Sequence, residues 1–303
     1  MDVPVPPYRD LPKADSGYHT SWAYFNSLPS KQGKKDQIGT ANHFKADISA
    51  FGGRPCPTHK INGAVPFSFD DHLDFNTQSS SQWDGFRHFA IRSSLEYYNG
   101  YRGEDFTSSD VLGIHYWVEA GGISGRGVLI DFPTWAESCG ETFNPNAGRR
   151  VTLKDIKAIL VNQGTEVRPG DILIFRTGWL SWYNNTTRNE RHEELCVRNP
   201  PGGHHFIGLD QDQELIEWLW DNQIAAVAGD QPAFEATPPP SDGFGWLHEH
   251  IIAALGCPMG ELWDTEGLAE ECKVRQRYTF FLSSAPLHVP GGVATPSNAV
   301  AIF

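Results

Sequence analysis

GRGVLIDF (125–132) is a short apolar run rich in β-branched residues, which predicts a buried strand. TLKDIKAILVNQG (152–164) follows it and reads as a helix. Thr152 is the expected N-cap, Asp155 stands three residues on, and Leu153, Ile156, Ile159 and Leu160 share one face. Gly164 is the expected C′ residue. RPGD (168–171) makes a turn and ILIFRTG (172–178) a second strand. Outward from this unit, DQDQELIEWLWDNQ (210–223) predicts a second helix, with Leu215, Trp218, Leu219 and Asn222 on one face. IAAVAGD (224–230), RYTFFLS (277–283) and AVAIF (299–303) predict three more strands. Buried strands alternating with helices specify an α/β fold with a parallel or mixed central sheet flanked by helices. No composition shift divides the chain. The reading is an N-terminal arm over 1–16 and one domain over 17–303.

Composition excludes several functions. The 303 residues carry 24 Lys+Arg against 37 Asp+Glu, a formal net charge of −13. Nucleic-acid binding rests on basic side chains, so no such partner is expected. No apolar run reaches the roughly 18–20 residues of a membrane span. The start, MDVPVPPYRD, lacks the basic and apolar regions of a secretory signal. The five cysteines are odd in number and widely spaced, with no C-x-x-C. A reducing, cytoplasmic setting follows as an expectation. GGISGRG (121–127) precedes its strand and is read as a turn. No dinucleotide, phosphate-loop or nucleophile-elbow motif occurs.

The stretch densest in chemistry is DFNTQSSSQWDGFRHF (74–89). On an extended strand Gln82 and Asp84 point to one face, and His88 comes within reach if the chain turns at Gly85. An Asp oxygen, two amide oxygens and an imidazole suit a divalent cation or a polar substrate. They equally suit a turn that caps a helix, with His88 satisfied in the core. LHEHIIAALGCPMGELWD (247–264) offers His248 and Glu261 on either side of a Pro-containing turn. Its two histidines, two apart, cannot share a helix face. Asp230 and Glu235 follow a strand, where α/β proteins place ligand groups, although Asp230 also suits a turn. His115 is read as a wall residue at most.

These segments together, over residues 20–303, resemble the cyclase family of metal-dependent hydrolases, which includes kynurenine formamidase and isatin hydrolase. The chain is most similar to the fungal branch. DQIGTAN (36–42), SQWDGFRHF (81–89), GDILIFRTGW (170–179), AAVAGDQPAFE (225–235) and GGVATPSNAVAIF (291–303) carry the likeness in order. The resemblance implies a swivelling β/α/β fold and a homo-oligomer, a dimer or a tetramer. It implies hydrolysis of a C–N or C–O bond, in an amide, lactam, formamide or lactone, within a small aromatic molecule. The family signature, H-x-G-T-H-x-D-x-P-x-H, places the acid/base on His88, with Asp84. Metal ligands fall on Gln78, Gln82, Asp84, His248 and Glu261. Trp83, Phe86, Arg87 and Phe89 would line the substrate.

The chain departs from that signature where Gln78 and Gln82 replace two histidines. An amide oxygen is a poor zinc ligand and suits harder ions. Three readings follow: a single Mn²⁺-like ion, a site moved to His72 or His250, or acid/base groups without metal. The last would make the chain a metal-independent cyclase, dehydratase or isomerase of secondary metabolism. A silent binding protein is a further alternative.

Overall fold

The computed structural model describes residues 54–198 and 203–303, with Asp10 and the backbone of Asn42 and His43. The expected arm over 1–16 and most of DQIGTAN lie outside the described residues. Met1–Ile38 and Gly39–Phe303 form two units, and every element below belongs to the second.

A hairpin comes first, β1 (Thr58–Val65) and β2 (Ser68–Asp74). The strand β3 (Gln82–Asp84) then enters the main sheet, followed by β4 (Ile123–Asp131), β5 (Ile172–Arg176), β6 (Ala226–Gly229) and β7 (Met259–Glu261). β8 (Thr279–Ser284), β9 (Ala294–Thr295) and β10 (Ala299–Ile302) complete it. The eight strands lie in the order β9-β3-β7-β6-β5-β4-β8-β10. The inner four, β4 to β7, run parallel, and the flanking pairs are antiparallel. The expected mixed α/β sheet is present.

Helices α1 (His115–Glu119), α2 (Phe132–Ser138), α3 (Leu153–Asn162), α4 (Trp179–Asn185), α5 (Gln213–Asp221) and α6 (Glu266–Arg275) accompany the sheet. The α3 helix starts as the sequence predicts. Thr152 and Asp155 form a reciprocal capping box, Leu153, Ile156, Ile159 and Leu160 are buried, and Gly164 has φ +58°. The α5 helix starts three residues later than expected. Asp210 pairs with Arg150, the Gln211 amide donates to the Ala236 carbonyl, and Asp212 is the extended N-cap. The β4 strand is shifted too. It begins at Ile123, inside the glycine-rich segment read as a turn, and ends at Asp131. Phe132 opens α2 instead, because Asp131 caps it through the backbone and hydroxyl of Thr134.

Alternation along the inner strands buries both faces of the sheet. Val128, Ile130, Leu173, Phe175, Val227 and Met259 join one core with α3, α4 and α5. Leu129, Ile172, Ile174, Ala226 and Ala228 join the other with Trp83, Trp263 and Phe280. Trp83 belongs to the second core, so its neighbours Gln82 and Asp84 face the first.

Candidate active site

The three residues of β3 carry the first part of the site. β3 pairs antiparallel with β7, with Gln82 opposite Glu261 and Asp84 opposite Met259. On its other edge Asp84 lies opposite Ala294 of β9. At Gly85 the chain turns hard. The Gly85 amide donates to the Val293 carbonyl, and a Cβ at 85 would lie 2.5 Å from that oxygen, so no side chain fits. The His88 amide closes the turn on the Gly85 carbonyl, and His88 comes back toward Asp84.

The second part arrives from the C-terminal half. Glu261 ends β7, followed by Leu262 at φ +56°, a left-handed conformation unfavourable by about 1–2 kcal/mol for a branched residue. The Leu262 amide donates to the Gln231 carbonyl, and its carbonyl accepts from the Ser81 hydroxyl. Those bonds hold the kink that presents Glu261. His248 sits just before the π-helical turn Glu249–Ala254.

These groups meet in one buried cluster. His248 Nε2 lies 3.1 Å from Glu261 Oε1 and 3.7 Å from Asp84 Oδ2. His248 Nδ1 lies 2.8 and 2.9 Å from the two oxygens of Glu235. Gln78 Nε2 donates to Asp84 Oδ1 at 2.7 Å, and Gln82 Nε2 donates to Glu261 Oε2 at 2.9 Å. The Phe234 amide donates to Glu261 Oε1 at 2.9 Å. Ligand atoms of Asp84, His88 and His248 all lie within 4.8 Å of one another. The Phe89 ring sits 5.0 Å from His248 and 6.0 Å from His88, between centroids.

Burial shapes the charges. It pushes the Asp84 carboxyl up, but the His88 and His248 imidazoles outweigh it, and the group stays below its ordinary range. Burial also pushes Glu261 up, and the neighbouring Asp84 charge adds to that. Desolvation lowers His88, so its imidazole is neutral at pH 7. Burial would lower His248 too, but the carboxylates of Glu235, Asp84 and Glu261 raise it well above 6.5.

The donor set fits a divalent cation. Gln78 Oε1, Gln82 Oε1 and Asp84 Oδ2 are buried acceptors with no hydrogen-bond donor among the described residues. Three buried carboxylates, Asp84, Glu235 and Glu261, face one imidazole. Glu235 on His248 Nδ1 repeats the carboxylate–histidine arrangement by which proteins aim the other ring nitrogen at a metal.

Not every expected residue joins the cluster. Arg87 faces away from the role of substrate contact. Its guanidinium donates to the carbonyls of Val111, Gly291 and Ser109 and lies over the Phe106 ring. Trp83 is wholly buried in the opposite core, where it packs on Trp263 and donates to Ser284 Oγ. Phe86 packs between Tyr98 and Trp117. Phe89 alone of the four touches the cluster's imidazoles. His72 lies on an exposed hairpin strand, and His250 stacks on Phe244 and bonds its carbonyl. His115 pairs with Asp110 and accepts from the Gly291 amide. Asp230 is a turn residue, accepting from the Thr177 amide and hydroxyl and the Gly178 amide. Glu235 is the residue whose role the sequence concealed. Its only signal was a carboxylate just past a strand end.

Comparisons agree with this architecture. The model of the Cyclase family matches residues 22–236. A solved structure described as a novel cyclase is 26% identical, with a TM-score of 0.70, over 92% of this chain and 95% of that one. An isatin hydrolase bound to the product analogue thioisatinate shares the fold at 15% identity and a TM-score of 0.56, over 94% and 99% of the two chains. Isatin hydrolase A from Labrenzia aggregata, bound to benzyl benzoate, does so at 16% and 0.55, over 84% and 86%. No curated protein matches the chain. Among the described residues no helix is long and apolar enough to cross a membrane. The family model spans well over half of the sequence and takes in β3 with its Asp84–His88 turn; the chain belongs to the Cyclase family.

Proposed function

We propose that the chain is a hydrolase of a C–N or C–O bond, in an amide, lactam, formamide or lactone of a small aromatic molecule. The observation that carries this reading is the convergence of Asp84, His88 and His248 within 4.8 Å. Asp84, His248 and Glu261 would hold a divalent ion, with Gln82 and Gln78 beside them. Such an ion, when bound, lowers the pKa of water and polarises a carbonyl.

The protein's own groups do the rest. Glu235 keeps the Nδ1 side of His248 occupied, so Nε2 faces Asp84 and Glu261. His88, neutral at pH 7, takes a proton from the attacking water and returns it to the leaving nitrogen or oxygen. Phe89 offers an apolar face against which a flat ring stacks. The same reading carries a cytoplasmic homo-oligomer, a dimer or tetramer, with no nucleic-acid or membrane partner.

The test is a hydrolase screen on aryl formamides, lactams and lactones before and after chelation. Activity lost on chelation and restored by Mn²⁺ or Zn²⁺ supports the reading. Turnover that survives chelation sinks it. A second reading then takes over, a metal-independent cyclase, dehydratase or isomerase. The specific observation favouring that alternative is the paired chain Glu235–His248–Glu261, in which imidazolium and carboxylates neutralise one another.

A further inference from the structure

Gln231 stands two residues past β6 and is wholly buried. Its backbone and its side chain serve different parts of the cluster. The Gln231 carbonyl accepts the amide of Leu262, the residue after Glu261. Its side-chain Nε2 donates to the Phe234 carbonyl at 2.9 Å, on the peptide that leads into Glu235. The amide lies against the bare Cα of Gly229. A Cβ there would come within 2.3 Å of Gln231 Oε1 and 2.6 Å of Nε2. A glycine at the end of β6 thus makes the room in which this side chain folds back on its own loop.

The bond is not needed to satisfy the carbonyl. The Leu209 amide already donates to the Phe234 carbonyl at 3.0 Å, and the Ala236 amide donates back to the Leu209 carbonyl. Gln231 Oε1 itself has no donor among the described residues. Turning the amide over would set that oxygen against the Phe234 carbonyl, so the Nε2 bond settles the orientation. This buried amide adds a second donor to a carbonyl already bonded and leaves its own oxygen unmet, so it contributes little to stability. What it adds is direction. A carbonyl has two acceptor sites, and filling both fixes the plane of the peptide between Phe234 and Glu235. That plane sets the direction in which the Glu235 side chain leaves the backbone, toward His248 Nδ1 at 2.8 and 2.9 Å.

We infer that Gln231 is a positioning residue for the reaction: its amide aims Glu235 at His248 and acts on the chemistry through that pair. The inference rests on the hydrolase reading for what the cluster does. The aim itself belongs to the folded chain, with or without substrate.

The experiment is proton NMR of the full, chelator-stripped chain. The His248 Nδ1 proton, bonded to a buried carboxylate, gives a strongly deshielded resonance, identified by its displacement in Glu235→Gln. Gln231→Met keeps the length of the side chain and removes the donor. It should move that resonance upfield, speed its exchange with water, and leave the thermal midpoint at or above that of wild type. Gly229→Ala puts a methyl where the amide lies and should move the resonance likewise. The double variant should add nothing to either single one. On a substrate of the wild type, kcat/KM should fall about tenfold in each variant, mostly in kcat, with KM within about threefold. A resonance unmoved in folded variants, or moved with turnover unchanged, overturns the inference. So does a wild type without the deshielded proton, or the failure of both variants to fold; if only one folds, it decides. A resonance that moves as expected in a chain with no hydrolase activity leaves the aim standing and removes the hydrolase reading instead.

Discussion

Glu235 grips His248 Nδ1 with both of its carboxylate oxygens, at 2.8 and 2.9 Å, and is itself wholly buried. The grip fixes the ring so that Nε2 faces Asp84 and Glu261. Glu235→Gln keeps the shape but offers the ring one carbonyl in place of two anionic oxygens. It should lower ion affinity and kcat/KM by about 10–100-fold with little loss of fold. Calorimetric ion titration and steady-state kinetics, with circular dichroism as the control, check this. Wild-type affinity in the variant would show that Glu235 merely fills space.

His88 is lowered by burial, so its neutral form prevails at pH 7 and is lost as the pH falls. As a general base it should give a rate profile whose acid limb falls away below pH 6.5. His88→Ala should remove that limb and lower kcat by about 10²–10⁴-fold. A pH–rate profile of both proteins decides; an acid limb that persists in the variant belongs to another group.

Arg87 should matter for stability rather than for substrate. Its guanidinium ties the carbonyls of Ser109, Val111 and Gly291. Arg87→Met leaves those carbonyls unmet and should cost about 2–4 kcal/mol. In protein that remains folded, KM should stay within about threefold of wild type. Urea unfolding and kinetics at low temperature measure the two effects separately, and a KM rise of tenfold or more would return Arg87 to the substrate.

Asp230 gives the stability a pH dependence of its own. Complete burial raises its carboxyl to about 6, beyond what the Thr177 donors and the Arg176 charge take back, against 3.8 ordinarily. The folded state therefore binds the proton more readily than the unfolded chain. This group's contribution is full below about pH 4 and is lost as the pH rises through 6. Asp230→Ala should remove that slope. It should also cost about 2–4 kcal/mol, because the buried Thr177 amide and hydroxyl and the part-buried Gly178 amide lose their acceptor. Urea midpoints measured from pH 4 to 7 test both statements.

The sequence was most legible where physics is local. The α3 capping box needs only Thr152 and Asp155, three residues apart, and the inner strands announce themselves by continuous burial. The pairing of Gln82 with Asp84 on one face follows from strand alternation, whereas the turn at Gly85 stayed a condition in the sequence, because the carbonyl that excludes a side chain there belongs to the distant Val293. The contacts Arg87 makes were not legible, because its partners are backbone carbonyls 24, 204 and 22 residues away, and a carbonyl has no signature in a sequence. Glu235 was underread for a related reason. Its meaning depends on which loop faces His248, thirteen residues on, and that is set by the tertiary fold. His248 and Glu261 stand out on either side of a Pro-containing turn, but only the resemblance joins them to Asp84, since neither spacing nor periodicity brings them to β3.

The three-residue strand β3 is held on one edge by β7 and on the other by β9, from Ala294 and Thr295. The backbone partner of Asp84 on that edge thus comes from a segment far along the sequence, and so does its partner on the other edge. The site exists only where three distant stretches lie side by side. A substitution that loosens β9 would therefore silence the cluster without touching a single group of it.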